Sequence, residues 1–428
     1  MNIKKRSSNN NLYAYLIKHA ENKYAIELLQ YEINNRVYHY GKHFSSSWEK
    51  TPNLKENIKN YLAVVYKKIK YKKCKNSSNL VLSNAYFSIN DILSQNNYKV
   101  IIPWWNLKKN GFYLKDQPFL KLFSEIEKTL KTSGIDEILS KEFLEKVIKF
   151  KELASEVIVK NKIKAGFFSY DLGFFERVFI DALKECGVPS FIFLHGLPNR
   201  YNNIDDNRAD YLIVWGPKMK QNYIDSGVNA EKIIVSGHPI YSQITHKNLL
   251  FSLDKILVIS KPTHGTPPIS DNIFLSDRGN SILYLQKVER TLKSLGVKNV
   301  KLRLHPSENK DWYKTNINTS FFSLDNANLY SSINSSTLLI GPSTTVILDS
   351  IYCGVNYLIF EPLEKGFTLM NYPTCSPFNG DDDKIPVAKN ESEFKELLNK
   401  KKSIDASVIH DYVNSEFDFS EVIKKIGM

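Results

Sequence analysis

The segment TLLIGPSTTVILDSIYCG, from Thr337 to Gly354, combines a strand, a polar turn and a helix in direct succession. Its first part, Thr337–Ile340, is a short apolar run of the kind that forms a buried strand. The turn Gly341–Thr345 follows, and the helix after it ends at Tyr352, where Gly354 acts as the C-terminal cap. A strand that leads through a turn into a helix is the building unit of a parallel α/β sheet, so this segment predicts the fold class.

Similar units occur in both halves of the chain. Short apolar runs separated by helix-length segments predict strands at residues 79–82, 99–103, 165–170, 190–194, 209–215, 232–235, 255–260, 300–304, 337–340 and 357–360. We therefore predict an α/β protein with two Rossmann-like, doubly wound parallel-sheet domains that face a cleft.

The length of 428 residues exceeds what one ordinary core accommodates. We predict a first domain over residues 1–236, a linker over 237–253 and a second domain over 254–404. The tail 405–428 is predicted to form a helix. Whether this helix crosses back to the first domain is left open by the sequence. Helical spacing of apolar residues also predicts one helix from Tyr13 to Tyr31.

The composition indicates a basic globular protein. The net charge is +13, from 58 Lys and Arg against 45 Asp and Glu, which favours phosphate-bearing partners, although a general richness in Lys, Asn and Ile explains the charge equally well. The four cysteines form no C-x-x-C pair, which argues against a zinc site or a disulfide framework and favours a reducing cytoplasm. No apolar run reaches 18 residues, so we expect a cytoplasmic protein, with peripheral contact at the inner face of the membrane as an option.

Strand ends in the second half carry residues suited to a phosphate-bearing ligand. Pro306 fixes the backbone after His305, which holds the imidazole where it can donate to a phosphate. The hydroxyls of Ser343–Thr345 open a helix, a place that attracts anions, although simple helix capping is the structural alternative. Glu361 ends a strand, where a carboxylate can accept from ribose hydroxyls. The full candidate set is Lys261, Thr263, His264, Gly265, Arg303, His305, Pro306, Gly341, Ser343, Thr344, Thr345 and Glu361.

Two residues of the first half are candidates to take a proton from an acceptor hydroxyl. Asp171 and His195 each follow a predicted strand, so both are expected at the cleft. The structural alternatives are a helix N-cap for Asp171 and a turn histidine for His195. The chain contains neither a G-x-G-x-x-G fingerprint nor a P-loop, and it lacks a D-x-D-type acidic pair at a strand end, so no metal or cofactor is expected.

The motifs resemble those of bacterial GT-B glycosyltransferases of surface-polysaccharide assembly. FIFLHGLPNR (191–200) and the segment 210–241 are similar to the end of the first domain in capsule and lipopolysaccharide transferases. LRLHPSE (302–308) and LIGPSTTVILDSIYCGV (339–355) resemble the HP and Ser/Thr motifs of bacterial sialyltransferases, Kdo transferases and CDP-glycerol glycerophosphotransferases. The resemblance implies a GT-B fold, with His305, Ser343 and Thr344 on the phosphate of a cytidine nucleotide. YDLG at 170–173 departs from the acidic-acidic-Gly motif of the sialyltransferases, which leaves the identity of the base open: Asp171 is the favoured base and His195 the alternative.

The resemblance implies an inverting, metal-independent glycosyltransferase. The expected donor is a CMP-activated acidic sugar of the sialic, legionaminic, pseudaminic or Kdo type, bound by the second domain. The expected acceptor is a cell-surface or lipid-linked glycan, bound by the first domain, and no nucleic acid is expected as a partner. A CDP-glycerol-type phosphotransferase, a UDP-sugar glycosyltransferase and a non-hydrolysing sugar-nucleotide 2-epimerase are the alternatives. A nucleic-acid-binding protein and a scaffold without activity are the rivals from other classes.

Overall fold

The computed structural model describes residues 11–38, 58, 62, 65, 79–85, 89–102, 112–113, 116–198, 201–203, 207–245, 248–261, 279–306, 308, 310–364, 367–369, 376–380 and 382–427. The strands of the first domain are β1 (Leu80–Ser83), β2 (Lys99–Ile102), β3 (Phe112–Tyr113), β4 (Ile163–Phe168), β5 (Ser190–Phe193), β6 (Tyr211–Val214) and β7 (Ile233–Val235). Those of the second are β8 (Ile256–Ile259), β9 (Val300–Arg303), β10 (Phe322–Leu324), β11 (Leu338–Gly341), β12 (Tyr357–Phe360), β13 (Leu363–Glu364), β14 (Phe367–Thr368) and β15 (Val387–Ala388).

Helices connect these strands. Those before the linker are α1 (Asn11–His19), α2 (Lys23–Leu28), α3 (Gln30–Tyr38), α4 (Asn90–Gln95), α5 (Gln117–Thr132), α6 (Ile135–Ile138), α7 (Lys141–Lys160), α8 (Phe174–Glu185) and α9 (Pro217–Asp225). Those after it are α10 (Gly279–Ser294), α11 (Lys310–Asn316), α12 (Leu329–Asn334), α13 (Val346–Tyr352), α14 (Glu391–Asn399), α15 (Ile409–Tyr412) and α16 (Ser420–Gly427).

Except for β13 and β14, which pair antiparallel with each other, the described strands form two large parallel sheets. The first has the order β3-β2-β1-β4-β5-β6-β7 and the second the order β10-β9-β8-β11-β12-β15. In each sheet the fourth strand lies beside the first, so the winding reverses there, as it does in the Rossmann fold. The predicted fold class, α/β with two Rossmann-like doubly wound parallel-sheet domains, is confirmed.

The strands form because apolar side chains occupy both faces of each central strand. All residues of β5, β8, β11 and β12 are buried, as expected for parallel strands covered by helices on both sides. In the second sheet, Leu257 and Ile259 belong to an apolar core that continues into the first domain. Val258 and Leu302 belong to a separate core on the opposite face. The alternation along β8 therefore ties one face of the second domain to the first domain.

The two sheets direct their carboxyl ends toward each other. The backbone N–H of Leu197, after β5, donates to the Thr345 hydroxyl, after β11, at 3.0 Å. The linker adds a second contact, because the Tyr241 hydroxyl donates to Asp349 Oδ1 at 3.0 Å. The edges at which polar strand ends gather thus meet across the domain junction.

The C-terminal tail lies against the first domain. The backbone N–H groups of Asn414 and Asp418 donate to the carbonyls of Trp215 and Ser236, at 2.9 and 2.8 Å. The helix predicted for 405–428 is therefore interrupted between α15 and α16, because these N–H groups pair with the first domain instead of with the preceding turn. The ring of Phe419 packs at the base of α16, which contacts β4.

The N-terminal segment differs from the sequence prediction in a similar way. In place of one helix from Tyr13 to Tyr31, the chain forms α1, α2 and α3. Asn22 caps α2, because its side chain accepts from the backbone N–H of Ala25, and so a new helix begins there. Arg208 holds this segment to the domain through hydrogen-bonded ion pairs with Glu27 and Asp181.

Candidate functional site

Four adjacent strands of the second sheet deliver polar residues to one edge. His305 lies just beyond β9, Lys261 beyond β8, Ser343 beyond β11 and Glu361 directly after β12. These strands are neighbours in the sheet, and the winding reverses between β8 and β11. Ligands of open α/β sheets bind at such a reversal, beyond the carboxyl ends of the strands.

Lys261 lies at the centre of this group. Its ammonium donates to the Ser343 carbonyl, with 3.2 Å between Nζ and O. Burial lowers the pKa of the His305 imidazole, and the Lys261 charge lowers it further. Burial raises the pKa of the Glu361 carboxyl, and the same Lys261 charge partly offsets that rise. The charge of Lys261 therefore interacts with groups in the loops after β9, β11 and β12.

His305 presents an exposed imidazole on a fixed backbone. Its backbone N–H donates to Ser260 Oγ at 3.0 Å and to Glu308 Oε2 at 2.8 Å. Desolvation, with a smaller effect from Lys261, lowers the pKa of the imidazole below its usual range. The side chain is therefore neutral near pH 7, and a neutral imidazole donates one hydrogen bond from one ring nitrogen. Pro306 follows it and is exposed.

The Ser343 turn is held from below by Glu361. The Ser343 N–H and hydroxyl both donate to Glu361 Oε1, at 2.7 and 2.8 Å, and the Thr368 hydroxyl donates to Oε2 at 3.0 Å. Glu361 is 4% exposed, and burial raises the pKa of its carboxyl. These contacts occupy the carboxylate inside the protein, in place of the expected contact with ribose hydroxyls. The Ser343 hydroxyl, which was expected to donate to the phosphate, donates to Glu361 instead.

The other residues of this turn have different surroundings. The Thr344 hydroxyl is half-buried and has no hydrogen-bond partner among the described residues, whereas the Thr345 hydroxyl accepts from the first domain. Gly341 allows close packing, because a Cβ there would meet the Tyr357 hydroxyl, which donates to the Pro342 carbonyl. Thr344 thus offers the uncommitted hydroxyl of the turn.

Arg303 is not part of this cluster. Its Nη1 pairs with Asp325 Oδ2 at 2.6 Å and donates to the Ala327 carbonyl at 2.8 Å. The guanidinium thus holds the loop after β10, unlike the expected contact with a ligand. Three further candidates, Thr263, His264 and Gly265, lie outside the described residues.

His195 faces the junction from the first domain. Its Nδ1 lies 3.3 Å from the Ser169 carbonyl, and its ring contacts that of Tyr170, with 5.9 Å between centroids. A carbonyl accepts only, so Nδ1 carries the hydrogen and Nε2 carries the lone pair. Desolvation by the surrounding protein lowers the pKa of the ring, which keeps it neutral near pH 7. Because Leu197 touches Thr345, this strand end lies beside the second domain.

Asp171 is placed differently from what its sequence position predicts. It is 3% exposed, its Oδ2 accepts from the backbone N–H of Arg208 at 2.7 Å, and the Arg177 Nε donates to its carbonyl at 3.1 Å. The carboxylate therefore lies inside the domain, where it joins the loop before β6 to the end of β4. Such a buried, hydrogen-bonded carboxylate does not have the access to solvent that a base for an acceptor hydroxyl requires.

Sequence reasoning missed two buried glutamates near the strand ends. Glu308 accepts from His305, Ser260 and Tyr313. Glu176, at the start of α8, accepts from the Asn84 side chain at 2.9 Å. Nothing in the local sequence marks either residue, because glutamate is usually exposed and the partners come from distant segments.

No group of three or more His, Cys, Asp or Glu side chains is arranged to hold a metal ion within the described part of the chain. None of the described helices has the length and apolar character needed to span a bilayer.

Comparisons with known proteins give matches only among solved structures. No protein-family model matches the sequence, and neither does any curated protein sequence. The UDP-GlcNAc 2-epimerase of Methanocaldococcus jannaschii, solved with UDP-GlcNAc and UDP, is similar at 12% identity and a TM-score of 0.49, over 82% of this chain and 99% of that one. The wall teichoic acid polymerase TagF (H444N variant) matches at 14% identity and a TM-score of 0.43, over 94% and 96%. MurG of Acinetobacter baumannii matches at 11% identity and a TM-score of 0.44, over 81% and 98%.

Similarities of this size say nothing about the activity of this chain. The two sheet orders and the polar residues at their facing edges are the observations on which a function can be argued.

Proposed function

We propose that the chain is a glycosyltransferase that binds a nucleotide-activated sugar on its second domain and transfers the sugar to a glycan held by its first domain. The observation that carries this proposal is the meeting of Lys261, His305 and the Ser343–Thr345 turn at the reversal point of the second sheet, opposite His195. This arrangement combines a phosphate-binding edge with a candidate base across one junction.

The donor nucleotide would place its phosphate at this edge. Lys261 supplies a positive charge, the His305 imidazole supplies a hydrogen bond, and Thr344 supplies a hydroxyl. Together they would stabilise the negative charge that develops on the phosphate as the sugar leaves. We propose a CMP-activated acidic sugar as donor, and CDP-glycerol or a UDP-sugar as the alternatives that the same edge suits. Since charge stabilisation comes from side chains, we expect transfer to continue in the presence of EDTA.

His195 would act as the base in place of Asp171. Its Nε2 takes the proton of the acceptor hydroxyl while that oxygen forms a bond to the anomeric carbon. The bond between this carbon and the phosphate oxygen breaks on the opposite face, and its electron pair leaves with the nucleotide. Attack from the opposite face inverts the configuration at the anomeric carbon. The acceptor is proposed to be a cell-surface or lipid-linked glycan.

Nucleotide binding provides the first test. Thermal unfolding is followed with CMP, CDP, UDP and GDP, because a ligand that binds only the folded chain stabilises it by about 2.7 kcal/mol at 100 times its Kd. We expect the largest increase in melting temperature with a cytidine nucleotide. Equal increases in melting temperature with all four nucleotides would contradict recognition of the nucleobase. No increase with any of them would contradict the proposed function.

The epimerase alternative requires a separate experiment. The chain is incubated with UDP-N-acetylglucosamine alone, and the sugar is analysed by NMR for the C2 epimer. A transferase leaves the sugar configuration at C2 unchanged. Accumulation of the epimer would replace the transferase with the epimerase.

A further inference from the structure

A buried carboxylate lies beneath the His305 tip. Glu308 is 4% exposed, and burial raises the pKa of its carboxyl, partly offset by three hydrogen bonds to it. The donors are the Ser260 hydroxyl, the Tyr313 hydroxyl and the His305 backbone N–H. A carboxylate is costly to bury unless donors surround it, so a buried glutamate with three donors is a specific arrangement.

The three donors belong to three different elements. Ser260 directly follows β8, His305 lies beyond β9, and Tyr313 is in α11. The His305 N–H is shared between Glu308 Oε2, at 2.8 Å, and Ser260 Oγ, at 3.0 Å. Glu308 thus joins two strand ends and a helix, and it fixes the His305 backbone while leaving the imidazole exposed.

We propose that Glu308 is a positioning residue that acts on the bound nucleotide only through His305. The inference rests on the proposed function, in which the His305 imidazole donates to the donor phosphate. A hydrogen bond to phosphate depends on the placement of the donor to within a fraction of an ångström. Glu308 supplies that placement, whereas the Lys261 ammonium, held by the Ser343 carbonyl, provides a separate contact.

Glu308→Gln tests this role with little change of shape. A carboxylate only accepts hydrogen bonds, whereas a glutamine amide has one accepting oxygen and an NH₂ that donates. At least one of the three donors therefore loses its acceptor. Tyr313→Phe is the matched control, because it removes the hydroxyl on Oε1 and leaves the contacts of Oε2 with Ser260 and His305 intact.

The experiment is a double-mutant cycle on nucleotide affinity. The Kd of the nucleotide that gives the largest thermal shift among CMP, CDP, UDP and GDP is measured for the unaltered chain, Glu308→Gln, His305→Ala and the double variant. We expect Glu308→Gln to raise the Kd about tenfold in the unaltered chain. In the His305→Ala variant, the same substitution should raise the Kd by less than about twofold, because the effects of residues in contact are coupled. Tyr313→Phe is expected to change the Kd by less than about threefold.

Three other results overturn the inference or what lies beneath it. An equal loss of affinity in both backgrounds would mean that Glu308 acts independently of His305, and an unchanged Kd for Glu308→Gln would mean that Glu308 does not act on nucleotide binding.

If Glu308→Gln lowers the melting temperature below the assay temperature, Ser260→Ala is measured in its place. This substitution removes the other acceptor of the His305 N–H, so the same dependence on His305 is expected. No binding of any nucleotide to the unaltered chain would overturn the proposed function itself.

Discussion

Two histidines from opposite domains have the same protonation state for related reasons. Desolvation lowers the pKa of His195 and of His305, and Lys261 lowers that of His305 further. Near pH 7 each ring is neutral, with one N–H and one lone pair. Because the Ser169 carbonyl accepts a hydrogen bond from Nδ1 of His195, the lone pair of the His195 ring is on Nε2. A base requires such a lone pair. His305 is suited to donate to a phosphate without adding a second positive charge beside Lys261.

Replacement of His195 tests its role as the base. We expect His195→Gln to lower kcat by about 10²–10⁴-fold while nucleotide affinity stays unchanged, because the ring acts on the acceptor only. Transfer by the unaltered chain should decline as the pH falls through the lowered pKa, below the usual value of about 6.5, since protonation removes the lone pair. Tyr170→Phe, which keeps the neighbouring ring, is the control. A kcat for His195→Gln close to that of the control would exclude His195 as the base.

Lys261 is expected to account for much of the affinity for phosphate. Lys261→Met should raise the Kd of the nucleotide by about tenfold or more, because a hydrogen bond to a charged group is lost. Lys255→Met removes the same charge from the opposite end of β8, where the lysine is exposed. Calorimetric titration of both variants checks the expectation. Equal losses would point to general charge attraction and would contradict a localised phosphate site.

The site was predictable from the sequence only in part. Strand ends of a parallel sheet gather at one edge, so the sequence could place Lys261, His305 and Ser343 together. It could not show that Glu361 lies under the turn or that Asp171 lies inside the first domain. Burial of a charged side chain depends on donors from distant segments, and local sequence carries no record of those contacts.

Among the helices and strands, the central strands were the most predictable from the sequence. Continuous apolar runs form β5, β8, β11 and β12 within one or two residues of their predicted limits. The edge strands β3, β10 and β15 span two or three residues and were missed, because short runs with polar neighbours resemble loops. The break between α15 and α16 was missed because the first domain, not the local sequence, accepts the hydrogen bonds of Asn414 and Asp418.

Docking of the tail depends on a glycine at the start of α9. A Cβ on Gly216 would meet the backbone of Tyr412, so Gly216→Ala must displace the tail. We expect a loss of roughly 1–3 kcal/mol in the free energy of unfolding. Gly134→Ala is the matched control, since Gly134 is also a helix N-cap and nothing lies within 4 Å of its Cβ position. Denaturant unfolding measures both, and equal losses would contradict the tail contact.

One apolar core joins the two domains. It includes Phe193 of the first domain, Tyr241 of the linker, Ile347 of the second and Phe419 of the tail. The tail also covers strands of the first sheet, so neither domain is packed independently of the rest. The doubly wound parallel class of the sheets was predictable from the sequence, whereas this shared core was not. Apolar periodicity indicates which side chains are buried, but it does not indicate which domain they pack against.

A shared core has a consequence for thermal unfolding. We expect a single calorimetric transition with a calorimetric enthalpy close to the van't Hoff enthalpy, because loss of one domain exposes the core of the other. Differential scanning calorimetry without ligand makes the comparison. Two resolved transitions would show that the domains unfold separately.

A crystal structure with a bound nucleotide would show whether the edge formed by Lys261 and His305 holds the phosphate. The chain is crystallised with the nucleotide that gives the largest thermal shift, and the position of the phosphate is read from the electron density. We expect the phosphate within hydrogen-bond distance of the Lys261 ammonium and the His305 imidazole, at the reversal point between β8 and β11. A nucleotide ordered elsewhere, with both side chains remote from its phosphate, would contradict the account.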